Sequence, residues 1–189
     1  MIIGITGGTG CGKTTALNTI AALGGLVIDC DKVYHDLLVT DTAMLSAIEN
    51  RFPGVVKDGI LDRKALAAIV FADEQALLEL NAITHGAVKN KVLKILEIAP
   101  SLAAIDAIGL FEGGLDGLCD VTVAVTAPEE VRVQRLVQRD DLTQQQAMLR
   151  INGQKSQEYF AAKCDYVLEN NGTQADFQEK CLAFFQKLL

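Results

Sequence analysis

Gly7-Gly8-Thr9-Gly10-Cys11-Gly12-Lys13-Thr14 carries the G-x-x-x-x-G-K-T pattern of a phosphate-binding loop. No other stretch restricts the fold as strongly. The apolar run Ile2-Ile3-Gly4-Ile5-Thr6 precedes it and reads as a buried strand, and residues 16–23 after it read as a helix. A strand, a tight glycine turn and a helix, in that order, are what such a loop requires. Glycines let successive backbone N–H groups turn inward onto phosphate oxygens, and the helix N-terminus adds its positive dipole end. Lys13 can reach β- and γ-phosphates, and the Thr14 hydroxyl can ligate Mg²⁺. The four fixed positions recur by chance in roughly one chain in a hundred of this length, and the correct setting lowers that further. The chain therefore reads as one that binds a nucleoside triphosphate, through Gly8, Thr9, Gly10, Cys11, Gly12, Lys13, Thr14 and Thr15.

Four more apolar runs, at 25–29, 102–106, 121–125 and 166–168, read as short strands. Between them lie helical patterns at 32–38, 43–52, 63–70, 131–138, 142–151, 156–162 and 174–189. Asp62 suits the N-cap of the third of these, and Pro128 suits a helix first turn. Residues 77–96 form a long amphipathic pattern with a candidate break at Gly86. Strands that are apolar throughout, separated by helices, predict a parallel sheet covered on both faces. A crossover needs only about a dozen residues. The all-helical stretch 31–100 is far longer, and it lies where strand C-termini open toward ligands, so a second substrate is expected there.

The net charge of −7 argues against general affinity for nucleic acid or an anionic membrane. Its distribution is uneven. Residues 131–163 hold six Lys/Arg against three Asp/Glu, a local +3, while the remainder carries −10. Such an island either faces an anionic ligand or is a solvated helix face. Five scattered cysteines without a C-x-x-C pair, and only two histidines, read as reduced cytoplasmic thiols and not as a zinc site. Cys11 is either a tolerated filler of the loop or a thiol lowered in pKa by Lys13 and the helix dipole. No apolar stretch matches a membrane span, no basic region precedes the first strand, and no signal peptide is expected.

A phosphate loop alone does not separate kinase, GTPase, motor and regulatory ATPase. Asp31, just past the second strand, can accept the proton of an attacking hydroxyl, or can cap the helix after it; Asp29 reads as structural. Arg132, Arg135 and Arg139 fall on one helical stripe, with Arg150 and Lys155 following. Fixed guanidiniums suit the charge that develops on a transferring phosphoryl group. Not all need serve that purpose, and Arg132 is the candidate for a surface residue. The polar stretch 140–146 suits a cover that excludes water. Asp106 ends an apolar strand and either holds Mg²⁺ through water or closes a turn. Asp106-Ala107-Ile108-Gly109 also fits the D-x-x-G of GTPases. The only Asn-Lys pair, Asn90-Lys91, lies in a helical pattern and lacks the aspartate of N-K-x-D, which speaks against guanine recognition.

Taken together, the chain resembles the dephospho-CoA kinase family. The resemblance rests on Gly4 through Thr15, Val27-Ile28-Asp29-Cys30-Asp31, Gly59-Ile60-Leu61-Asp62-Arg63 and Leu80-Asn81-Ala82-Ile83-Thr84-His85. It continues through Leu110-Phe111-Glu112, Arg135 to Arg139-Asp140, Gln154, and Cys164 to Gly172, in the family's order. Departures are Gly86 where family members usually have Pro, Ile108-Gly109 in place of Pro-Leu, and Cys30 and Cys164 in place of Ala. They touch turns and packing, and they bear on the substrate wall near Leu110 to Glu112.

The resemblance implies an α/β fold: a P-loop NTPase, nucleotide-kinase-like core with a five-stranded parallel sheet, a helical substrate-binding insertion and a small lid. The implied boundaries are 1–30, 101–138 and 164–189 for the core, 31–100 for the CoA-binding region and 139–163 for the lid. The implied activity moves the ATP γ-phosphate to the 3′-hydroxyl of dephospho-CoA. It makes Lys13, Asp31 and Arg139 the catalytic set, with Asp31 as base and Arg139 on transition-state charge. Thr14 and Asp106 become the Mg²⁺ residues, and Asp31, Arg63, His85 and Glu112 the substrate contacts; on residue grounds alone a lone histidine such as His85 is more often a satisfied helix residue. A cytoplasmic enzyme, with a monomer favoured and no nucleic-acid or membrane partner, is expected. Kept open beside it are a nucleotide or nucleoside kinase with another acceptor, and a nucleotide-driven switch.

Overall fold

A computed structural model describes residues 1–189. Strand β1 (Ile2–Thr6) buries Ile3 and Ile5 completely, and Gly4 between them leaves no room for a side chain, since a Cβ there would meet Cys119 Sγ at 2.8 Å. The strand is central because it pairs in parallel with β5 (Ala103–Asp106) on one side and β6 (Val121–Thr126) on the other. With β2 (Leu26–Asp29) and β7 (Tyr166–Glu169) at the edges, the sheet order is β2-β5-β1-β6-β7. This is the expected five-stranded parallel α/β core.

One face of the sheet is covered by α1 (Lys13–Ala22) and α9 (Gln174–Leu188). Leu17 and Ile20 of α1, and Phe177, Cys181 and Phe185 of α9, close over Ile5, Val123, Val125 and Leu168. Each such large side chain contributes about 1.5–3 kcal/mol on burial. After β6 come α6 (Glu129–Asp140), α7 (Gln144–Asn152) and α8 (Gln157–Lys163). Helix α8 packs on β6, while Leu136 of α6 meets Ala147 and Ile151 of α7 in a small core of their own.

The chain divides into two compact units. One comprises Met1–Ile28, Ala99–Leu110 and Asp116–Leu189; the other comprises Asp29–Ile98 and Phe111–Leu115. The short segment 111–115, expected with the core, belongs to the second unit. The second unit holds α2 (Cys30–Thr40), α3 (Thr42–Arg51), α4 (Arg63–Val70) and α5 (Glu74–Leu96), with α5 packed against the other three. All four begin on an aspartate whose carboxylate accepts backbone N–H bonds: Asp29, Asp41, Asp62 and Asp73. Each cap is worth about 1 kcal/mol, so part of the acidic excess is helix-capping charge.

Two expectations change here. Residues 31–100 are not all helical, because β3 (Val56–Lys57) and β4 (Ile60–Leu61) form an antiparallel hairpin. Its turn residues Asp58 (φ 51°) and Gly59 (φ 76°) both lie in the left-handed region that a two-residue hairpin needs. Helix α5 also runs unbroken through Gly86. Thr84 before Gly86 and Val88 and Val92 after it are buried where α5 packs on its neighbours, and that packing outweighs the roughly 1 kcal/mol cost of a mid-helix glycine.

Candidate active site

The loop between β1 and α1 is held from outside. Lys13 Nζ donates to the Gly7 carbonyl at 2.8 Å, and Arg132 Nε to that of Thr9 at 2.9 Å. Arg135 Nη1 donates to the Gly10 carbonyl at 3.1 Å, and the buried Asn170 amide to that of Cys11 at 2.9 Å. In a trans peptide the next N–H points opposite to the carbonyl. Turning these carbonyls outward therefore presents N–H groups of the loop, Gly10 and Gly12 among them, to its concave side. Gly12 completes the turn at φ 102°, a conformation that side chains rarely adopt.

Helix α1 then starts without a side-chain cap and without an acidic residue in its first turn, unlike the four aspartate-capped helices. Its free N–H groups and positive dipole end are left for an anion. The Thr14 side chain is exposed beside them. Asp106 ends β5 opposite Ile5 of β1, half-buried at the same edge of the sheet. No cluster of three or more His, Cys, Asp or Glu side chains forms a metal cage. One hydroxyl and one carboxylate nevertheless suit Mg²⁺, which prefers hard oxygens and shares its shell with phosphates and water.

The arginine stripe divides. Arg132 is no surface residue: it is 3% exposed, and Arg135 is engaged with both the loop and Asn170, to whose Oδ1 it donates at 3.0 Å. Arg139, with a side chain 60% exposed, instead forks onto Asp140 at 2.7 and 2.9 Å, and Arg150 joins the same carboxylate at 2.7 Å. Hydrogen bonding to Arg139 holds the Asp140 carboxyl below its usual range. Gln154, between α7 and α8, accepts from Thr9 N–H at 2.8 Å.

Cys11 is buried and points toward Gln157 Oε1 at 3.8 Å. Burial raises its pKa against the opposing charges of Arg132 and Lys13, so the thiol is neutral.

In the second unit, Asp29 is the residue that caps α2, accepting from Lys32 N–H at 3.0 Å. Asp31 lies in the first turn, with an exposed carboxylate that makes no hydrogen bond or ion pair. The capping alternative thus belongs to Asp29. Arg63 opens α4 and is exposed; its charge acts on the Tyr34 phenol, whose pKa burial pushes up. His85 Nδ1 lies 3.2 Å from the Glu112 backbone carbonyl, and Lys89 Nζ donates to that of Gly114 at 2.8 Å. His85 and Glu112 are therefore neighbours although 27 positions apart.

The contacts of Arg132, Arg135 and Asn170 with the loop are not legible in the sequence. The only available signal was a polar asparagine directly after an apolar strand, and three arginines at helical spacing.

A glycine loop at the carboxyl end of the central parallel strand, backed by guanidiniums and followed by an uncapped helix, defines a P-loop α/β nucleotide-binding protein. Residues 1–176 match the dephospho-CoA kinase family, and the chain belongs to it. A dephospho-CoA kinase of Syntrophotalea carbinolica is 33% identical over 195 aligned positions, spanning 100% of this chain and 92% of that one. The crystal structure of TT1252 from Thermus thermophilus has a TM-score of 0.80 at 32% identity and covers 100% of this chain and 98% of its own. The dephospho-CoA kinase from Campylobacter jejuni has a TM-score of 0.69 at 27% identity, with coverages of 99% and 96%.

Proposed function

We propose that the chain transfers the γ-phosphate of ATP to the 3′-hydroxyl of dephospho-CoA, giving CoA and ADP. The observation that carries this reading is the family match across residues 1–176, which contains every residue named above as a site candidate. The loop amides and Lys13 hold the triphosphate. Thr14 and Asp106 hold Mg²⁺, which when bound neutralises charge on the phosphates. Asp31 takes the proton of the 3′-hydroxyl as the new oxygen–phosphorus bond forms and the bond to the β,γ-bridging oxygen breaks. Its carboxylate, exposed and without a partner, is available for that role.

Arg63 and His85, from the region 31–100, and Glu112, from the segment Phe111–Leu115 of the same unit, contact the acceptor. Residues 139–163 act as a lid that keeps water from the γ-phosphate. Arg139 leaves Asp140 to meet charge on the transferring group. None of the five cysteines forms a disulfide, in keeping with a reducing cytoplasm.

The test is mass spectrometry of dephospho-CoA incubated with the protein, ATP and Mg²⁺. One added phosphate on dephospho-CoA, and none on adenosine, AMP or pantothenate in parallel incubations, is the expected result. Phosphate on another acceptor alone overturns the reading.

A further inference from the structure

Arg132 is a permanently charged group in a setting that does not neutralise it. Its guanidinium is 3% exposed, Nε is held by the Thr9 carbonyl at 2.9 Å, and Nη2 is buried with no hydrogen-bond partner. No carboxylate forms an ion pair with it. Nη2 lies against Gly8 so closely that a Cβ on that residue would overlap it, so the guanidinium abuts the phosphate loop itself. The Cys11 thiol, on which the Arg132 charge acts, is kept protonated by burial and offers no counter-charge. The adjacent Lys13 and Arg135 are cations too. A buried cation with an unsatisfied donor is costly unless an anion arrives.

We propose that Arg132 is a resident phosphate ligand of the nucleotide site, supplied by α6 and not by the loop motif, whose Nη2 donates to the polyphosphate of bound nucleotide. This rests on the reading above that the loop holds ATP. It assigns Arg132 and Arg135 different tasks on the same helix. Arg135 is engaged through both Nη atoms with loop carbonyls and Asn170 and positions the loop, whereas Arg132 keeps a donor in reserve for the ligand. It also gives a reason for glycine at position 8, where any side chain would occupy the space of the guanidinium.

The test compares the full-length wild type, Arg132→Gln and Arg132→Lys by calorimetric titration with ADP and with inorganic tripolyphosphate, alongside unliganded melting temperatures. Glutamine can still donate an amide N–H to the Thr9 carbonyl but carries no charge. The expected result is roughly ten- to a hundredfold weaker binding of both probes by Arg132→Gln. Its unliganded melting temperature should equal or exceed that of the wild type, and lysine should fall between in affinity. Wild-type affinity in the glutamine variant overturns the proposal. So does an affinity loss accompanied by a lowered unliganded melting temperature, which would make Arg132 a brace. Should the glutamine variant not fold, the lysine variant decides by the same comparison. A wild type that binds neither probe overturns the nucleotide reading itself.

Discussion

Asn170 and Arg135 form one assembly beneath the phosphate loop: the asparagine oxygen accepts from Arg135 Nη2 at 3.0 Å while its amide donates to the Cys11 carbonyl at 2.9 Å. The amide spans 159 positions of sequence and joins the end of β7 to the loop after β1. Replacing Asn170 by Asp keeps the shape but sets a carboxylate oxygen against the Cys11 carbonyl. The expected outcome is a loss of about 1–3 kcal/mol in folding stability, with weaker ADP binding. Urea unfolding and calorimetric titration check it; unchanged ADP affinity would separate the asparagine from loop geometry.

Asp29 and Asp31 are two positions apart but predicted to fail differently. Asp31→Asn should lower kcat by roughly 10²- to 10⁴-fold with ATP affinity nearly intact. Asp29→Ala should cost about 1 kcal/mol of stability through the lost cap, with a much smaller effect on turnover. Normal turnover by Asp31→Asn would remove it as the base.

Arg139→Ala should reduce kcat and leave ground-state ADP binding unchanged, because its guanidinium is engaged with Asp140 and not with the loop. Steady-state rates and ADP titration measured on the same variant test this. An unchanged kcat would leave Arg139 as a surface charge.

Gly86 sits in the middle of α5 with open space where a Cβ would lie. Gly86→Ala is therefore expected to stabilise the chain by about 0.5–1 kcal/mol, seen as a higher urea midpoint. A lower midpoint would mean that the position is crowded after all.

Burial pushes the Cys119 thiol up to about 12 and the Cys164 and Cys181 thiols up to about 11. Unfolded thiols ionise from about pH 8.5, so above that pH the unfolded chain loses these protons first. Their contribution to stability is complete below that pH and is lost as pH rises toward the folded values. Melting temperatures measured from pH 7.5 to 10.5 should decline less steeply for Cys181→Ala than for the wild type. Equal slopes would contradict the burial argument for this thiol.

What could be read in the sequence was what is encoded locally. The strand Ile2–Thr6, the glycine loop and the cap at Asp62 each depend on a few adjacent residues, and each lies where its local pattern puts it. The hairpin at Asp58-Gly59 was equally local, since an Asp-Gly pair is a standard two-residue turn. It escapes a reading by period because its strands, Val56–Lys57 and Ile60–Leu61, are too short to show alternation. Arg132 shows the opposite limit. Three arginines on one helical stripe have the same pattern whether they face water or the underside of a loop. Only the approach of residues more than 120 positions away decides between them. His85 meeting Glu112 was invisible for the same reason.

Helix α6 carries Arg132 near its start and the Arg139–Asp140 fork at its end, about 10 Å apart along a single rod. The near end sits on the turn after β1, and the far end is tied to α7 through Arg150. One helix thus carries both the fixed contacts around the nucleotide's tail and the exposed fork beyond it. Substitutions at that fork are expected to slow turnover while sparing the hold on the tail.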